Sequence, residues 1–96
     1  MEERHRDQIM RTKSQIIQLL NYDYFKELCI EFQIITDAML FNIEEKHKTS
    51  STERIFEALL EKITKRGPDV YVKFVKILLD ICDEHLNLIQ NYQKIF

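Results

Sequence analysis

The sequence predicts an all-α fold, an antiparallel bundle of six short helices. Three observations predict it. Apolar residues recur at steps of three and four through most of the chain, the spacing of one helical face. The only glycine and the only proline stand side by side as Gly67 and Pro68, the pairing found where one helix stops and another starts. No stretch alternates apolar and polar residues with the period of two that a strand requires.

The first helix covers about residues 2–20, with Ile9, Ile16, Ile17 and Leu20 inward and Arg4, Arg6, Arg11 and Lys13 toward water. A polar run at 11–15 interrupts its stripe and predicts a bent or two-part helix. Asn21 reads as its closing residue. The second helix, about 23–32, buries Phe25, Leu28, Cys29 and Phe32, while Asp23, Glu27 and Glu31 line up at steps of four on another face. Thr36 and Asp37 offer an N-cap for a short third helix, about 37–45, carrying Met39, Leu40 and Ile43.

Residues 46–51 are polar and turn-like. Ser50 or Ser51 caps the fourth helix, and Ser50 with Glu53 has the capping-box spacing. That helix, about 51–66, turns Ile55, Phe56, Leu59, Leu60 and Ile63 inward and Arg54, Glu57, Glu61, Lys62 and Lys65 outward, and closes at Arg66 and Gly67. The fifth, about 69–82, places Tyr71, Phe74, Val75, Leu78, Leu79 and Cys82 on one face, and Val70, Val72, Ile77 and Ile81 cover much of the rest. A helix apolar nearly all round belongs in the middle of a bundle. The sixth, about 84–92, packs Leu86 and Ile89, and Tyr92, Ile95 and Phe96 form an apolar tail.

Ninety-six residues are one domain, 1–96, with an independent but modest core. No window of about 18 uncharged apolar residues exists to span a membrane. The charged start, from Glu2 to Asp7, lacks the apolar segment of a secretory signal, so a cytoplasmic location is expected. Cys29 and Cys82 fall on apolar faces, where cysteine behaves as a small buried hydrophobe. Neither a disulfide framework nor a zinc site is implied.

Formal net charge is −2, whereas a nucleic-acid binder carries an excess of Lys and Arg. The distribution says more. Net charge is +1 over residues 1–20, −5 over 21–45, +3 over 46–66 and −1 over 67–96. A bundle of such blocks is electrically two-faced, which suits docking between unlike patches and allows head-to-tail self-association.

No catalytic constellation stands out. Nucleophilic catalysis needs Ser or Cys beside His, and the only histidines are His5, His47 and His85, with no nucleophile elbow, phosphate loop or zinc spacing around them. His5 and His47 read as solvent-exposed, and His85 as a capping or packing group rather than a proton switch. The pair Glu44–Glu45 reads as a solvated helix end rather than an acid–base couple. No cofactor, metal or small-molecule ligand is expected.

The corner at Arg66, Gly67 and Pro68, then Tyr71, Phe74, Leu78, His85, Leu86 and Ile89, resembles the last two helices of a caspase recruitment domain. The resemblance covers essentially the whole chain, including the interrupted first helix. Arg4-His5-Arg6 and Lys62-Ile63-Thr64 are similar to prodomains of insect initiator caspases. It implies a death-fold bundle with a bent first helix, and homotypic docking onto the recruitment domain of an Apaf-like apoptosome scaffold. It implies a basic face from the first and fourth helices: Arg6, Arg11, Lys13, Arg54 and Lys62. Its acidic counterpart is Asp23, Glu27, Glu31 and Asp37. Glu53 and Glu57 stand where a mammalian apoptosome caspase carries arginines, and Arg54, Lys62 and Lys65 take their place in a shifted contact. The parent would then be a cysteine protease whose catalytic residues lie elsewhere. Other readings are a recruitment domain of the scaffold or an adaptor, a small helical nucleic-acid binder using Lys62, Lys65 and Arg66, and a homodimer held by the apolar tail.

Overall fold

A computed structural model describes residues 1–81. It is all-helical over that span: α1 (Glu3–Leu19), α2 (Tyr22–Glu31), α3 (Asp37–Lys46), α4 (Thr52–Thr64) and α5 (Pro68–Ile81). The expected sixth helix, the apolar tail, Cys82 and His85 lie outside the described residues.

The core draws on every element except α3. Ile9 and Ile16 come from α1, Phe25 and Cys29 from α2, Phe56, Leu59, Leu60 and Ile63 from α4, and Val70, Tyr71, Phe74, Val75, Ile77 and Leu78 from α5. Phe25 lies at the middle, its ring centroid 5.3 Å from Phe56 and 6.1 Å from Phe74, the latter edge-on at 88°. Offset and edge-to-face rings are worth roughly 0.5–1.5 kcal/mol beyond their burial. Burial also pushes the Cys29 thiol up to about 12, so it remains a protonated apolar filler. The fifth helix is thus central, as its composition predicts, but not buried all round, because Val72 remains 43% exposed.

The first helix is one uninterrupted helix rather than two parts. The polar run does not break it because Thr12 turns into the core, its hydroxyl donating to the Gln8 carbonyl at 2.9 Å. A threonine that bonds back to the preceding turn satisfies its own polar group. α1 lies along α4, its principal neighbour.

Several ends differ from the sequence expectation. Asn21 does not close α1; it caps α2, accepting from the Tyr24 N–H at 2.9 Å. Thr36 caps α3 through the Met39 N–H, and Ser51 rather than Ser50 caps α4 through the Arg54 N–H. Pro68 opens α5, where its missing N–H costs nothing. Gly67 does not adopt a positive φ; among the described residues Gln33 does, at 60°. The Gln33 N–H reaches the Ile30 carbonyl at 3.0 Å and the Ile34 N–H reaches the Cys29 carbonyl at 2.8 Å, together a Schellman ending of α2. This tight reversal buries Ile34 and Ile35 and leaves Phe32, expected in the core, 39% exposed at the helix end.

Arg66 joins the two reversals. Its Nε donates to the Ile34 carbonyl at 3.1 Å, tying the α4–α5 corner to the α2–α3 connection. His5, expected in water, stacks instead on Tyr71, centroids 3.8 Å apart and planes within 5°. Burial raises the Tyr71 hydroxyl to about 12 despite the opposing charge of Arg4.

The left-handed conformation at Gln33 makes a prediction. Gln33→Val, which adds β-branching where an L side chain is already crowded, lowers stability by roughly 1–2 kcal/mol, whereas Gln33→Gly does not. Urea midpoints of the two variants check it, and equal losses would place no backbone constraint at this residue.

Candidate functional site

The exposed charges fall into faces set by the helices that carry them. On α2, Asp23, Glu27 and Glu31 are all exposed, and Asp37 is exposed in the first turn of α3, where it lines a hollow with Arg66, Asp69 and Lys73. There its charge complements the positive end of the helix. Asp23 lies 3.7 Å from Lys26, while Glu27 and Glu31 have no ion-pair partner among the described residues. Tyr24, 52% exposed, and Phe32 stand beside them. This face is therefore acidic and aromatic together. Sequence periodicity misses the aromatic part, because Phe32 continues the apolar spacing of α2 up to the residue where the helix ends.

Behind this face a polar cluster fastens α3 to α2. Tyr22 Oη donates to Glu44 Oε2 at 2.8 Å, and Lys26 Nζ reaches the same oxygen at 3.0 Å. Lys26 also sits 5.2 Å from the centre of the Tyr22 ring. Burial, then the bond to Glu44 and the nearby negative charges, push the Tyr22 hydroxyl well up. Burial alone would raise Glu44, but the bonds from Lys26 and Tyr22 and the lysine charge outweigh it and hold the carboxyl below its ordinary value. The bond to Glu44 in turn raises Lys26. Glu44 is thus an anchor, not a solvated helix end.

The second face lies between α1 and α4. A groove of about 330 Å³ is lined by Ser14, Ile17 and Gln18 from α1 and by Glu53, Arg54 and Glu57 from α4 with its N-cap Ser51. Glu57 bridges the two helices, 3.6 Å from Lys13 and in contact with Arg54. Lys13, drawn toward α4, is only 23% exposed at its side chain. Arg6 and Arg11 remain exposed on α1, Arg11 making long bonds of 3.4 Å back to the Asp7 carbonyl and the Gln8 side chain. Glu53 is exposed at the groove with no ion-pair partner among the described residues. The structure therefore brings Lys13 and Arg54 together, but around a carboxylate, so the face is mixed in charge rather than basic.

Lys62 does not join this face. It lines a separate cleft between α4 and α3 with Lys46, His47 and Lys65. Arg66, turned to the Ile34 carbonyl, is not part of an exposed basic end either.

No family model matches the chain, and no solved structure matches it. A curated relative does: Caspase Dronc of Drosophila melanogaster is 31% identical over 91 residues, covering 84% of this chain and 20% of that protein. The chain spans about a fifth of the length of that relative. Among the described residues, no helix is long and apolar enough to cross a membrane.

The Glu44 cluster predicts a pH dependence. A carboxyl held low in the folded state contributes stability that is present above its unfolded value and lost as pH falls through the folded one. Wild type is therefore more stable than Glu44→Gln near pH 7, and the gap narrows in acid, as pH falls through the lowered folded value and Glu44 takes up its proton. Melting temperatures near neutrality and in acid check this. A gap that persists in acid would assign the contribution of Glu44 to packing rather than charge.

Proposed function

We propose that this chain is a caspase recruitment domain of the death-fold type, the non-catalytic recruiting prodomain of an initiator caspase. In this reading it docks in the cytoplasm on the like domain of an Apaf-like apoptosome scaffold and so gathers the protease for proximity-driven activation in apoptosis. The observation that carries the reading is the similarity to Caspase Dronc over most of this chain. The charged faces supply a physical means. Glu27 and Glu31 on α2 are exposed and have no ion pair among the described residues, and Arg6 and Arg11 on α1 are exposed cations. Unlike charges of this kind set partner choice and association rate more than they set affinity.

On this reading the acidic partner face meets Arg6 and Arg11 directly, and Lys13 and Arg54 only in competition with Glu57. The Lys13–Glu57 pair is partly covered, at 23% and 32% side-chain exposure, yet still borders solvent, so a partner carboxylate competes with Glu57 for Lys13. The pair therefore tunes the contact without blocking it. Asp23, Glu27, Glu31 and Asp37 offer the opposite face to a basic surface on a second partner molecule.

Two substitutions test the assignment in opposite directions. Reversing Arg11 and Lys13 to Glu weakens co-assembly with the recruitment domain of the scaffold by about tenfold or more, with helix content unchanged. Glu57→Gln strengthens it several-fold by releasing Lys13 and Arg54. Pull-down and titration against the scaffold domain, with circular dichroism as the fold control, measure both. Unchanged binding in the double reversal would remove the α1–α4 face from the contact.

A further inference from the structure

The cleft between α3 and α4 is not used by the reading above. It holds about 250 Å³, and its lining is mixed: Met39, Ile43 and Ala58 are apolar, and Lys46, Lys62 and Lys65 outnumber the one carboxylate, Glu61. We propose that this cleft is a second docking site for an acidic amphipathic helix of a partner protein. The bound helix seats one or two large apolar side chains against Met39, Ile43 and Ala58 and sets carboxylates against the three lysines.

The spacing of the lining residues gives the shape. Met39, Ile43 and Lys46 stand at steps of four and three along α3, and Ala58, Lys62 and the C-cap residue Lys65 stand at the same steps along and just past α4. Two such ridges flank a groove, the form that accepts an amphipathic helix with anchors at i, i+3 or i+4. The volume fits side chains rather than a drug-sized ligand, which takes roughly 300–1,000 Å³.

α3 gives the apolar reason. It has no buried residue; Met39, Leu40 and Ile43 are only partly covered where they pack on the core. Two of these three border the cleft, so an apolar anchor placed there completes the burial the bundle leaves unfinished.

The lysines give the sign of the partner. Lys13, Lys26 and Lys73 each have a carboxylate within 4.0 Å. Lys46, Lys62 and Lys65 have none among the described residues, although Glu61 lines the same cleft. Lysines in the last turns of α3 and α4 also complement the helix ends, but that role needs no apolar residues between them. A concave cleft with apolar residues in its lining does not fit a flat lipid surface. Three cations around a single cleft also make no track along a phosphate backbone.

The site is separate from the α1–α4 face, so it can be tested separately. The probe is a helical peptide of about 20 residues, long enough to hold a helix, with a Leu–Phe pair at i, i+4 flanked by Glu. Added to the full chain, it shifts the amide resonances of residues 39–47 and 58–65. Lys62→Glu with Lys65→Glu weakens it by about tenfold or more, while the Arg11 and Lys13 reversals leave it unchanged. Since both lysines border solvent, melting temperature confirms that the variant folds. The same peptide with Lys for Glu, or Ala for the Leu–Phe pair, does not bind. Absence of binding, shifts confined to Arg11 and Ser14, or equal binding of the Lys peptide would overturn the proposal. So would phosphatidylserine vesicles shifting these residues, or self-association of the chain that Lys62→Glu abolishes and the peptide does not compete with.

Discussion

Phe25 meets Phe56 on one side and the edge of Phe74 on the other, all three essentially excluded from water. That contact holds α2, α4 and α5 to one centre, and the remaining elements are placed relative to it. Tyr22, one turn earlier on α2, leans on Phe56 at 5.5 Å and so carries its hydroxyl to the surface where Glu44 waits. α1 lies along α4 and adds Ile9 and Ile16 to the same core. Because the aromatic residues face inward from three helices, the charged residues of those helices are forced outward in rows, and the charged faces are a by-product of the core.

α3 is the exception. It buries no residue completely, and its attachment combines partial apolar contact with the bond network from Tyr22 and Lys26 to Glu44. An element held by a few polar contacts near the surface is less protected than the core around it. This is also the element that carries Asp37 in its first turn and borders the lysine-lined cleft through Lys46 in its last. Surfaces on either side of α3 therefore share one weakly seated support.

The helices were legible where local rules and burial agree. The inward rows of α4 and the start of α5 at Pro68 follow from a strong 3.6-residue pattern and from the fixed φ of proline. Legibility failed at the ends. Phe32 fits the apolar spacing of α2, yet the chain reverses at Gln33, and glutamine does not advertise a left-handed conformation. Asn21 suits either side of a short joint, and only the direction in which the Tyr24 N–H points decides that it opens α2. His5 reads as exposed among Glu2, Glu3, Arg4 and Arg6, because its partner Tyr71 is more than sixty residues away in the chain.

The candidate faces divide in the same way. The sequence alone determined which residues are charged, that they alternate in blocks, and which outward row of a helix each occupies, since those depend only on composition and helical period. Tertiary structure alone decided which charges pair between helices. Glu57 falls between Lys13 and Arg54 and turns an expected basic face into a mixed one. Lys62, on the same helix as Arg54, turns to α3 instead of α1. A charge acts over a few ångströms through space, and sequence spacing measures such distances only within one helix, not between helices brought together by the core.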